Sequence, residues 1–430
     1  MKFQNFAKLS LLVTATLFSC SSDDDSVDTG GQGGVELIRA EGNSSLFVYS
    51  FENEEGVSTV NFAGQTTRLL QGEELLSELR SVGDANIDVL NLMYGGSEGQ
   101  SAGFENEALN GTTRLLRSKT AASISYFGEN TAESSEIRTV FDGYITEEYN
   151  NFLSVFSSPE EALADFPAGP GQAGAILDEG SIRLVNEGGL EVNQAFNKGL
   201  IGAIMGDQIM NHYLFLAQDE QGRIDNANGV LDEDNPYTAI AHYWDEAYGY
   251  AFGNPGTDEA EADSFLYKYI DRVNEDADFS TIKDDIQIAF ITGRQAIVDV
   301  DYDEVDAQIE ILQELISEVI AIRAVFYLQT GQDQLRNEDE TGNAFHDLSE
   351  GFGFITSLRY TRNPETNLPY IEPGTVNQFA AELQEGFGFW DLIDELENPD
   401  TETTLDRISR LIAAEFDFTV EQAGSLLAAE

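Results

Sequence analysis

DEVDAQIEILQELISEVIAIRAVFYLQ, residues 303–329, carries apolar side chains at Val305, Ile309, Leu312, Ile316 and Val319, with Arg323 closing the same stripe. Steps of four and three residues follow the 3.6-residue turn of an α-helix and put these side chains on one face. The stretch predicts a long helix with a buried seam. Outward from it, helical spacing recurs at 71–82, 136–156, 190–217, 237–252, 258–273, 281–298, 342–361 and 374–397. Thr419 and Gln422 have the spacing of a capping box before a last short helix. Residues 46–66 hold short β-prone runs and predict extended structure with at most a hairpin. The stretch 97–132 is loop-rich, 167–180 (PAGPGQAGAILDEG) is a Gly-rich break, and 219–236 predicts a polar loop. The expected fold is all-α, built of packed helical bundles.

An internal repeat adds chemistry to that frame. HYWDEAYGY (242–250) aligns without gaps on HDLSEGFGF (346–354), pairing His242 with His346 and Glu246 with Glu350. A partial third copy, LQEGFGFWD (383–391), keeps Glu385 and the aromatic-Gly-aromatic triplet. Duplicated helical units related by pseudo-symmetry explain the match. His and Glu four residues apart share a helix face. Two such helices facing one another would bring His242, Glu246, His346 and Glu350 to one point, a ligand set suited to zinc or iron. The plainer reading is that each His bonds its own Glu or a neighbouring backbone group inside the core. Glycine inside a helix costs about 0.5–1 kcal/mol relative to Ala, so Gly249, Gly353 and Gly388 point to close helix packing. Tyr248, Phe352 and Phe387 are then expected as core aromatics.

The third histidine sits in DQIMNHYL (207–214), where Asp207, Gln208, Asn211 and His212 cluster on an otherwise apolar helix. Buried polar groups need partners, so the cluster is either an interhelical hydrogen-bond network or part of a pocket. The acidic run 224–235 resembles a calcium loop but puts Ile224 at the first ligand position of an EF-hand, which breaks the motif. RLLRSK (114–119) is the notable basic cluster; it neutralises acidic neighbours or meets an anionic ligand. No nucleophile elbow, phosphate loop or His-Glu-x-x-His motif is present.

The N-terminus, MKFQNFAKLSLLVTATLFSC (1–20), has a basic start, a short apolar run and a small residue before Cys20, the chain's single cysteine. We expect residues 1–19 to be a signal peptide and Cys20 a lipidated residue anchoring the body to outer-membrane lipid. Residues 20–45 would form a flexible acidic tether, with the body facing the periplasm or the cell surface. The net charge is −56, from 22 basic and 78 acidic residues, so nucleic acid is not an expected partner. Such charge fits a soluble acidic surface or a cation-handling protein.

The segments YSFENEEGVSTVNFAGQTTRL (49–69), RSKTAAS (117–123), QAFNKGLIGAIMGDQIMNHYL (194–214), YTAIAHYWDEAYGY (237–250) and FHDLSEGFGFITSLRY (345–360) resemble the domain of unknown function 4856 lipoprotein family. That family looks like a relative of the imelysins. The resemblance implies two pseudo-symmetric four-helix bundles, expected at 46–255 and 256–430, and a link to iron uptake. The imelysin hallmark is Gly-x-His-x-x-Glu. Neither His242 nor His346 has Gly two residues before it, and Glu follows at i+4. Asp245 can stand for the i+3 carboxylate in the first copy; Ser349 cannot in the second. The expected function is a cell-envelope binding protein for a metal or metal complex, with iron or zinc as candidate ions and an envelope protein as a further partner. The alternatives are a metallohydrolase such as a peptidase, or a non-catalytic structural or adaptor lipoprotein.

Overall fold

The computed structural model describes residues 48–80, 86–128, 131–155, 163–178, 180–254, 264–336, 341–396 and 401–424. Cys20 and the expected signal peptide and tether (residues 1–45) lie outside the described residues. The lead-in is extended, and Glu52 pairs with Ser58 in an isolated antiparallel bridge. The first long helix, α1, spans Ala63–Arg80, eight residues earlier than its apolar spacing suggests. Its early turns are held because Gln65, Arg68 and Leu69 are buried. Next come α2 (Ile87–Gly95) and α3 (Ala132–Val155). Between them lie single helical turns at Glu107–Leu109, Leu116–Lys119 and Ile124–Phe127.

The Gly-rich break becomes an antiparallel hairpin, β1 (Gly174–Asp178) with β2 (Ser181–Val185). From there α4 (Val192–Leu200) runs without interruption through π-helical turns at Ile201–Gly206 and Ile209–Tyr213 to Leu216. Every residue of α4 is buried, including Asn193, Gln194, Asn197 and Lys198. The expected polar loop is partly helical. Asp219 accepts the Gly222 N–H at 2.7 Å and caps α5 (Glu220–Ala227).

The first repeat lies on α6 (Ala239–Phe252), followed by α7 (Leu266–Asn274) and α8 (Ile282–Asp299). The stripe that opened the sequence lies on α9, Tyr302–Leu335, the longest described helix. All six stripe residues are buried, Arg323 among them. The second repeat lies on α10 (Thr341–Ser357). After it come α11 (Pro373–Leu383), α12 (Phe389–Glu395), α13 (Thr404–Ala413) and α14 (Val420–Gly424). The capping box is present: Gln422 N–H donates to Thr419 Oγ1 at 3.1 Å, and Thr419 N–H to Gln422 Oε1 at 2.9 Å.

The fold is thus predominantly helical, and one hydrophobic cluster runs from Leu69 to Ala423. The two repeats pack alike. A Cβ on Gly249 would lie 2.4 Å from Phe62 Cβ on the approach to α1. One on Gly353 would lie 2.5 Å from Lys198 Cβ on α4. Trp244 and Leu348, each two residues after its histidine, fill the space left by Gly293 of α8 and Gly331 of α9. Close packing therefore explains the repeated glycines.

The third copy does not share this geometry. Gly386 and Gly388 both take positive φ (64° and 63°), so LQEGFGFWD forms the turn between α11 and α12 instead of a helix interior. Phe387, expected in the core, is 50% exposed on that turn.

Candidate functional site

His242 and Glu246 share a face of α6, with Nε2 and Oε2 4.0 Å apart. The His242 ring stacks on Tyr237 at 4.6 Å between centroids. Glu246 Oε1 accepts from Gln65 Nε2 at 2.8 Å and from Tyr213 at 3.4 Å. Asp245, the stand-in for an i+3 ligand, is fully committed elsewhere. It accepts from Tyr49 (2.6 Å), Arg294 Nε (2.9 Å) and the Asn61 N–H (3.1 Å), wholly buried. Here the repeat ties the lead-in, α6 and α8 together.

The second pair has other surroundings. His346 Nδ1 lies 2.6 Å from Glu191 Oε2, and Nε2 lies 3.7 Å from Glu350 Oε1. Glu191 precedes the first turn of α4, and its N–H donates to Ser349 Oγ at 2.8 Å. Behind Glu350, Lys198 Nζ approaches Oε1 at 3.3 Å. From β2, Arg183 bridges Asp178 (2.7 Å) and Glu191 (3.7 Å). Charges therefore alternate through Arg183, Glu191, His346, Glu350 and Lys198.

Burial alone would raise the two glutamates and lower the two bases, and the alternation decides what survives. Burial lowers Lys198 to about 8 despite Glu350. For Glu350, Lys198 and His346 outweigh burial and hold the carboxyl below its usual range. Burial would lower His346, but the Glu191 bond and the neighbouring carboxylates raise it. Asp347 is pushed up to about 6 by burial and then by Glu350.

The two pairs do not converge. Glu350 meets Lys198 and Glu246 meets Tyr213, fifteen residues further along the same continuous helix. At ~1.5 Å per residue that separates them by roughly 20 Å. Among the described residues no group of three or more His, Cys, Asp or Glu is arranged to hold a metal ion. A single site from His242, Glu246, His346 and Glu350 is thus not formed, because each helix crosses a different stretch of the 192–216 helix.

What the second pair does line is a cavity of about 430 Å³. Its walls come from the β1–β2 hairpin (Arg183), α7 (Lys268, Tyr269), α9 (Arg323, Tyr327) and α10 (His346, Glu350).

The other polar cluster is a network. Asp207 accepts from the N–H groups of Ala122 and Ser123 (both 2.9 Å) and from Ser123 Oγ (2.5 Å). Burial raises its carboxyl to about 6. Asn211 Nδ2 donates to the Tyr360 carbonyl at 2.9 Å. His212 Nδ1 accepts the Ile124 N–H at 3.3 Å, and burial followed by Lys119 lowers it to about 4. Gln208 is buried beside them. Asp207 and His212 pin residues 122–124 to the continuous 192–216 helix, and Asn211 ties that helix to Tyr360. Within RLLRSK, Arg117 forms a bidentate pair with Asp142, and Lys119 lies 5.1 Å from the Tyr213 ring centre.

The sequence model of the family described as Domain of unknown function (DUF4856) matches residues 47–419. The chain belongs to the DUF4856 family. No curated protein and no solved structure matches it. In this DUF4856 protein the residues that sequence reasoning left out of the site are Arg183, Glu191, Lys198, Lys268 and Arg323. Two of them carried a signal. Lys198 stands in QAFNKGLIGAIM and Arg323 in VIAIRAVFYL, each a lone charge in an apolar helical run. Such charges are almost never fully buried unless paired, so their burial marks a place to look.

Proposed function

We propose that the chain is an imelysin-like binding protein of the cell envelope. In this reading a lipid on Cys20 tethers it to the outer membrane, and it serves in the acquisition of iron or another metal. The observation that supports binding is the cavity beside His346, whose 430 Å³ falls within the roughly 300–1,000 Å³ usual for small-molecule sites. Because the two His–Glu pairs face separate surroundings, the metal is read as arriving in a complex and not as a bare ion held by four side chains. At the first repeat the saturated Asp245 favours a purely architectural role, so the binding role is assigned to the second repeat alone.

The test is cellular. Deleting the gene should lower cell-associated iron or zinc under metal limitation, and Cys20→Ser should release the protein from the membrane fraction and reproduce that loss. Unchanged metal content in the deletion strain would overturn the metal role. A Cys20→Ser protein that stays with the membrane would overturn the tether.

A further inference from the structure

Arg323 is 4% exposed, yet among the described residues no carboxylate forms an ion pair with it, and its charge acts on Asp347 only from a distance. Its guanidinium carbon lies 4.1 Å from the Phe326 ring centre, 4.4 Å from Tyr327 and 5.3 Å from Tyr269. Rings offset the charge but accept few of its N–H donors. Nε has no hydrogen-bond partner among the described residues. A buried donor left unmade costs free energy, so an arginine kept in this state needs an explanation. Its side chain lines the cavity.

The charge around that cavity runs against the rest of the molecule. Of its lining residues, Arg183, Lys268, Arg272 and Arg323 are basic, drawn from only 22 Lys and Arg in the chain. Three, Asp178, Asp347 and Glu350, come from the 78 acidic residues. The carboxylates are largely answered from within. Arg183 takes Asp178, Lys198 and His346 take Glu350, and Gln334 Nε2 donates to Asp347 at 2.7 Å. Arg272 pairs with Glu275 at 3.1 Å. Arg323 in the wall and the exposed Lys268 form no ion pair among the described residues, and their charges act on Asp347 and Glu350 only from a distance.

We infer that this cavity binds a small anionic molecule bearing a carboxylate or phosphate group, with Arg323 as the residue that grips the anion and Lys268 drawing it in. The inference rests on reading the cavity as the ligand site. Planar guanidinium matches both oxyanions bidentately, which an ammonium does not. Tyr269, Phe326 and Tyr327 offer apolar wall beside the charge, which suits an organic anion.

Titration calorimetry on the purified full chain, with citrate, inorganic phosphate and neutral glucose as probes, tests this. Saturable binding of citrate or phosphate, but not glucose, is the expected result. Preference for citrate assigns the carboxylate class, and preference for phosphate the phosphoryl class. Arg323→Lys, which keeps the charge and loses the fork, should weaken binding about tenfold or more. Lys268→Glu, on the exposed rim and remote from the core, should weaken it several-fold and flatten its salt dependence. No saturable anion binding, equal binding of glucose, or unchanged affinity in both variants would overturn the inference. If anions fail to bind while the deletion strain still loses metal, the inference falls and the envelope reading stands. Anion binding without a metal defect leaves the cavity assignment standing and removes the metal role.

Discussion

Glu148 sits fully buried on α3, where Oε1 accepts from Asn193 Nδ2 at 3.0 Å and Oε2 has no partner among the described residues. Burial pushes its carboxyl up to about 8, more than the Asn193 bonds pull it down. A raised folded-state value means the native state holds a proton that the unfolded chain releases near pH 4.5. The stabilising contribution is therefore complete below about 4.5 and is lost as pH rises through about 8. Glu148→Gln should unfold at a higher temperature than the natural chain at pH 8–9, with the gap closing toward pH 4.5; calorimetric Tm against pH reads this. A gap independent of pH would show that Glu148 is ionised in the fold. His346 gives a second residue-level check, since Glu191 raises it. Its imidazole should titrate above 6.5 by NMR, and Glu191→Gln should bring it down. Little of this was visible in the chain, because Glu148, the neighbouring Glu191 and Asn193, and His346 belong to three separate segments and only folding sets the distances between them.

Helix contacts give sharper tests at the scale of elements. Alanine at Gly353 would place a methyl 2.5 Å from Lys198 Cβ and 3.0 Å from the Gly199 nitrogen. Backbone cannot yield as a side-chain tip does, so α10 and α4 must separate. We expect Gly353→Ala to destabilise by about 1–3 kcal/mol, measured by denaturant unfolding. Gly374→Ala in α11 meets nothing within 4 Å and should be neutral or stabilising by up to about 1 kcal/mol. Equal effects at the two positions would rule out close approach as the reason for Gly353. The triplet alone could not tell copies apart: Gly249 and Gly353 lie inside helices, whereas Gly388 sits at positive φ with Gly188 O 2.4 Å from where its Cβ would be. The pentapeptide EGFGF is identical at 350–354 and 385–389, yet Gly351 and Gly353 are helical while Gly386 and Gly388 take positive φ, so packing and not local sequence separates the copies.

At the scale of the molecule, apolar side chains on both sides of residue 255 share one cluster. Leu200 and Phe196 of α4 belong to it together with Phe354 and Ile355 of α10. We expect urea unfolding to show a single transition, the same by far-UV circular dichroism and by tryptophan fluorescence. Two separated transitions would show that 46–255 and 256–430 fold independently. The chain by itself determined the helical class, the burial of the 305–323 stripe, the capping box at Thr419 and the two matching motifs. Those depend on periodicity and on contacts within a few residues. Which charges meet was decided by tertiary structure alone. Arg323, Glu191 and His346 are far apart in sequence, and electrostatics depends on through-space distance and on the water that packing excludes. The same packing turned one His–Glu motif into a brace around α6 and its twin into the wall of a cavity.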